Sequence, residues 1–104
     1  MNYATVWEFV VPEDQRPAFE TAYGPEGPWA RLFGQAPGFL EVRLWRSREQ
    51  PGRYLTIDLW QSATVFDHFK SHFAKQYQEL DQQLEGLASS EVPIGSFDEM
   101  PPTG

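Results

Sequence analysis

Two short runs sit side by side in the chain, Phe39-Leu40-Glu41-Val42-Arg43-Leu44-Trp45 and Arg53-Tyr54-Leu55-Thr56-Ile57-Asp58-Leu59-Trp60, and each alternates an aliphatic residue with a polar or aromatic one. A period of two marks a strand with two different faces. The aliphatic set Leu40, Val42, Leu44, Leu55, Ile57 and Leu59 predicts the face packed under helices. The mixed set Glu41, Arg43, Trp45, Tyr54, Thr56, Asp58 and Trp60 predicts the opposite face. That second face is too aromatic for open water and too charged for a plain core, so it is expected against a partner or a ligand.

The flanking segments complete the frame. Tyr3 to Val11 is β-branched and aromatic and ends at Pro12, predicting a first strand. Pro12-Glu13-Asp14 opens a helix carrying Phe19 and Tyr23 on one side, and Gly24-Pro25-Glu26-Gly27-Pro28 stops it. Trp29 to Phe33 reads as one or two further helical turns closed by Gly34. Pro51-Gly52 makes the two alternating runs an antiparallel hairpin. Ser62 is the expected cap of a long helical segment whose apolar stripe runs 66, 69, 73, 77, 80, 84, 87, with room for a bend near Ala74 to Gln76. Glu91 to Phe97 predicts a last strand, and Pro93 places it at an edge or a bulge. The order β-α-β-β-α-β is that of an α+β ferredoxin-like protomer, an antiparallel sheet with helices on one face. Residues 1–97 are expected to form one domain and 98–104 a disordered tail.

Composition removes several function classes. The 104 residues include no cysteine, so disulfides and thiolate chemistry are absent and a reducing, cytoplasmic setting is expected. A net charge of −7 without a Lys/Arg cluster argues against nucleic acid and anionic membrane as partners. No apolar run approaches the roughly 20 residues of a spanning helix. The bare sheet face is most simply covered by a second copy, with Arg43, Trp45, Tyr54 and Asp58 expected at the homodimer interface.

Tyr23-Gly-Pro-Glu-Gly-Pro-Trp29, Ala36-Pro-Gly-Phe39, Gly52-Arg-Tyr-Leu-Thr-Ile-Asp-Leu-Trp60 and Ser62-Ala-Thr-Val-Phe66 together resemble the antibiotic biosynthesis monooxygenase domain of the dimeric α+β barrel superfamily. The resemblance covers residues 3 to 97. It implies a homodimer through sheet packing and a ligand cavity between sheet and helices. It also implies an activity drawn from cofactor-independent oxygenation of phenols or quinols, isomerisation or haem degradation. Haem-degrading members use an axial histidine, a first-strand asparagine and a helical tryptophan. Positions Gln76 to Gln78 hold no histidine, the first strand offers Val6 and Trp7, and the second helix has no tryptophan, which disfavours haem. No cofactor is expected.

His68 and His72 are spaced i, i+4, a chelating spacing, but both lie off the apolar stripe and no third ligand stands nearby, so no metal site is assigned. A cofactor-independent oxygenase must bind an electron-rich aromatic, take its proton and exclude water. His72 and Tyr77 are the expected proton acceptors, and Trp60, Trp29, Tyr23, Phe33, Phe69 and Phe73 the expected walls for a small aromatic ligand. For Tyr23 to Phe33, a lid over the cavity and a bent helix filling the sheet edge both remain open. So do two functions: an oxygenase of a phenolic or quinol-like aromatic, and a non-catalytic ligand-binding or accessory dimer. The absence of asparagine after Asn2 favours the latter.

Overall fold

The computed structural model describes residues 1–102. Strand β1 (Tyr3–Val10) leads through a 3₁₀ turn at Glu13–Gln15 into helix α1 (Arg16–Tyr23), and a short α2 (Pro28–Phe33) follows. Then come the hairpin strands β2 (Phe39–Arg46) and β3 (Arg53–Trp60), helices α3 (Ala63–His72) and α4 (Ala74–Leu84), a 3₁₀ turn at Glu85–Leu87, and β4 (Ser90–Asp98). The sheet order is β2-β3-β1-β4, with every pairing antiparallel. This is the expected ferredoxin-like α+β arrangement.

Local chemistry explains the element boundaries. Ser62 caps α3 by accepting from the Val65 N–H at 3.2 Å. The long helical segment breaks at Phe73, whose backbone leaves helical geometry at φ −116° and ψ 21°. The break keeps the apolar stripe on one side: Phe69 is buried, and Phe66, Phe73, Leu80, Leu84 and Leu87 pack around the core. β4 is an edge strand whose register slips between Val6 and Trp7, beside Pro93. It runs through Asp98, and Glu99 donates its N–H to the Asn2 carbonyl at 2.8 Å, so Asp98 and Glu99, assigned to the tail, are tied to the sheet. Thr103 and Gly104, also assigned to that tail, lie outside the described residues.

The strand faces need one correction. Residues paired across an antiparallel ladder share a face, and the pairs Val42 with Asp58, Leu44 with Thr56 and Arg46 with Tyr54 put the polar and aromatic set of β3 under the helices. Tyr54 is 1 % exposed and Trp60 0 %, both inside the chain's own core. The aliphatic set Leu55, Ile57 and Leu59 looks out on the bare face instead, beside Trp45, Arg43 and Glu41. Val42 and Leu44 do face the core, whereas the register shift between Phe39 and Glu41 leaves Leu40 exposed. Arg43 and Trp45 therefore keep their place on the open face. Tyr54 and Asp58, expected there, do not. Tyr54 instead ties β3 to α1 through a short hydrogen bond from its hydroxyl to the Glu20 carboxylate.

Candidate functional site

The helices do not seal the sheet completely. Between α1, α2 and α4 on one side and the sheet on the other lies a cleft of about 470 Å³ including its open mouth, of which about 50 Å³ admits the centre of a water molecule. The floor is the central sheet: Phe9 of β1, Val42 of β2, and Thr56 and Asp58 of β3. Trp29 and Phe33 of α2, Tyr23 of α1 and Trp7 of β1 form the walls. Tyr77 and Asp81 of α4 stand with Glu91 of β4 at the more exposed rim.

The aromatic wall is continuous. The ring centroids of Trp29 and Tyr77 are 5.0 Å apart, those of Trp29 and Phe33 5.7 Å, and those of Phe9 and Tyr23 5.0 Å. The corner holding Trp29 is closely packed. A Cβ at Gly27 would run into the carbonyl oxygens of Thr21 and Ala22, so only glycine lets α2 turn this tightly against the end of α1. The bent-helix alternative for Tyr23 to Phe33 thus has the geometry on its side, and the segment still lines the cleft.

Four side chains give the cleft its chemistry. Asp58 sits on the floor beside Thr5, whose Oγ1 donates to Oδ2 at 3.4 Å. Burial pushes its carboxyl up to about 7, and the Thr5 hydroxyl only partly offsets this. The residue keeps part of its accessible surface because it opens into the cleft it lines. Trp29 is 6 % exposed, and its Nε1–H is buried without an acceptor. A buried donor left unpaired costs about 1–3 kcal/mol; the Trp60 Nε1–H in the core is unpaired as well. Tyr23 and Tyr77 are both pushed up to about 12, first by burial. For Tyr23 the nearby Trp29 indole acts in the opposite sense while falling short of hydrogen-bond geometry, and the carboxylates of Glu91 and Asp81 add to the rise.

The structure therefore brings together Tyr23, Trp29, Phe33 and Tyr77 from the predicted site and separates the others. Trp60 is sealed in the core against Phe33, Phe39, Phe66 and Phe69. Phe69 is buried with it, and Phe73 packs on Phe69; none of the three lines the cleft. His72 is exposed and its Nδ1 lies 2.9 Å from the His68 carbonyl of its own helix, away from the cleft, so it is misplaced as a proton acceptor. Tyr77 is in place, yet a phenol pushed to about 12 holds its proton and serves as a donor or a wall. Asp58 is the group that sequence reasoning set on the wrong face. Its signal was the single carboxylate within β3, flanked by Ile57 and Leu59. Among the described residues no histidine lines the cleft, and three carboxyl groups do, so the residues do not fit haem as a ligand set.

A family model described as antibiotic biosynthesis monooxygenase matches residues 3–80. The chain belongs to that family. Among solved structures it is similar to a mutant of SnoaB, a cofactor-independent oxygenase from Streptomyces nogalater, with 21 % identity and a TM-score of 0.74 over 97 % of this chain and 95 % of that one. A mutant of MhuD with two manganese protoporphyrin IX bound per active site is 20 % identical, with a TM-score of 0.72 over 98 % of each chain. A Shewanella oneidensis protein is 20 % identical, with a TM-score of 0.65 over 92 % of this chain and 88 % of that one. These likenesses show the fold. A comparison with curated proteins finds no match. Among the described residues no helix is long and apolar enough to cross a membrane.

Proposed function

We propose that this family member is a cofactor-independent monooxygenase of a phenolic or quinol-like aromatic, working as a homodimer. The observation that carries the reading is Asp58, a carboxyl near neutrality on the floor of an aromatic cleft. A base whose pKa matches the working pH combines availability with driving force.

In this mechanism the ring lies between Trp29, Phe33 and Tyr23, which exclude water and hold it over Asp58. The Asp58 carboxylate takes the acidic proton, and the Trp29 Nε1–H donates to the ring oxygen on which charge develops. The electron-rich anion passes one electron to dioxygen, and the radical pair joins to form a carbon–oxygen bond. The carbon–hydrogen bond at the peroxide-bearing carbon and the oxygen–oxygen bond then break together: one oxygen stays as a carbonyl, and the other leaves with that hydrogen as hydroxide, which collects the proton held by Asp58 to become water. The substrate is the only reductant, so no cofactor is required.

The open sheet face suits self-association. Trp45, Val10, Val92 and Phe97 are each 43–56 % exposed and share that face with Leu55, Ile57 and Leu59. A patch of this kind on a single chain calls for cover.

Oxygen uptake with a panel of quinols and polycyclic phenols tests the proposal. Uptake is expected to rise with pH through about 7, where Asp58 ionises, and to collapse in Asp58→Asn. Silence across the panel refutes it. Binding without turnover is the second reading, favoured by the absence of any asparagine donor in the cleft; a phenol that raises the melting temperature without being consumed would establish it.

A further inference from the structure

The lining of the cleft has a charge sign that phenol oxidation does not require. Asp58, Asp81 and Glu91 all border it, and among the described residues no lysine, arginine or histidine does. Six aromatic rings border it too: Trp7, Phe9, Tyr23, Trp29, Phe33 and Tyr77. Asp58 is the unusual member, because carboxylates normally stay in water and this one stands on the aromatic floor of the cleft, while Asp81 is half-buried and Glu91 exposed at its rim. Among the described residues no three His, Cys, Asp or Glu side chains are grouped closely enough to hold a metal ion. Carboxylates spread around aromatic faces match a larger, softer cation. The negative faces of tryptophan and tyrosine attract an alkylammonium group, and a nearby carboxylate supplies its counter-charge.

We propose that the cleft recognises an organic cation, a hydroxyaromatic bearing a protonated or quaternary amine, with the ammonium group held at the rim by Tyr77, Asp81 and Glu91 and the ring on the floor over Asp58. The ring oxygen then meets the unpaired Nε1–H of Trp29, which needs an acceptor that the protein does not provide. The like charges at the rim point the same way. Glu91 is raised by burial and then by Asp81 and Glu85, a mutual repulsion that a bound cation would relieve. The placement of the ring rests on the oxygenase reading. The cation site at the rim does not.

Three phenols of similar shape test this: (4-hydroxyphenyl)trimethylammonium, its neutral isostere 4-tert-butylphenol, and the anion 4-hydroxybenzenesulfonate. Each is titrated against the intact protein by calorimetry at pH 8. The ammonium phenol is expected to bind about tenfold more tightly than the neutral one, as a partly desolvated cation–aromatic contact allows, and the sulfonate more weakly than either. Asp81→Asn together with Glu91→Gln should abolish the preference while leaving the neutral phenol's affinity within about twofold, with circular dichroism confirming the fold. Equal or tighter binding of the neutral phenol overturns the inference, as does a preference that survives the double substitution, or no binding of the ammonium phenol. Cation binding without oxygen uptake from any phenol would refute the oxygenase reading and leave the inference standing; oxygen uptake from neutral phenols alone would do the reverse.

Discussion

Replacing Asp58 with asparagine isolates what an ionisable group on the cleft floor costs the fold. Burial moves this carboxyl from an ordinary 3.8 up to about 7 in the folded chain. Between those values the folded state keeps a proton that the unfolded state has released, so stability falls as pH rises through the window and the penalty is absent below it. A gap of about three pH units, at about 1.4 kcal/mol per unit, makes the ionised group cost about 4 kcal/mol above pH 7. Asparagine has the shape of the protonated carboxyl, keeps an oxygen for the Thr5 hydroxyl and never ionises. Asp58→Asn should therefore be more stable than the native chain at pH 8, and its advantage should grow by about 3 kcal/mol between pH 5 and pH 8. Urea unfolding followed by tryptophan fluorescence at fixed protein concentration measures this, and titrations elsewhere in the chain cancel in the difference. An advantage of equal size at both pH values would mean that Asp58 titrates normally, and the argument for a near-neutral base would fail. A gain in stability bought by losing the base is the usual exchange at a functional site.

Trp29→Ala should lower stability by about 3–5 kcal/mol, because the side chain is buried, and should also weaken phenol binding; unchanged affinity by calorimetry would remove Trp29 from the cleft wall's function. Ile57→Glu places a charge in the middle of the open sheet face and should convert a dimer to a monomer by light scattering with the fold intact; a native chain that is already monomeric at micromolar concentration refutes the homodimer. His72→Ala should leave melting temperature and oxygen uptake within error, since the ring is exposed and contacts only its own helix turn; a large loss of uptake would restore His72 as a catalytic group.

Much of the fold was readable along the chain because local chemistry marks it. The Pro-Gly hairpin connection, the Ser62 cap, the glycines and prolines after Tyr23, and the three-and-four spacing from Phe66 each set an element boundary from the backbone's own preferences. The break near Ala74 and the irregular edge strand at Pro93 were legible for the same reason.

Which face of β3 turns inward was decided only by tertiary pairing. Alternation says that Leu55, Ile57 and Leu59 oppose Tyr54, Thr56, Asp58 and Trp60, but period two is symmetric and does not say which set is buried. The rule that aliphatic residues go inside failed because the outer face is itself apolar, whereas the inner face must fill a core at Tyr54 and Trp60 and line a cleft at Thr56 and Asp58. Register with Val42 and Leu44 settles the choice. That one inversion moved Asp58 from a presumed interface to the floor of the site, beside Trp29 and Tyr77, which lie 29 and 19 residues away along the chain. Strand, cap and turn chemistry act over a few residues and can be read in one dimension. The cleft is made by residues from seven elements meeting across the gap between sheet and helices, and only the packed chain brings them together.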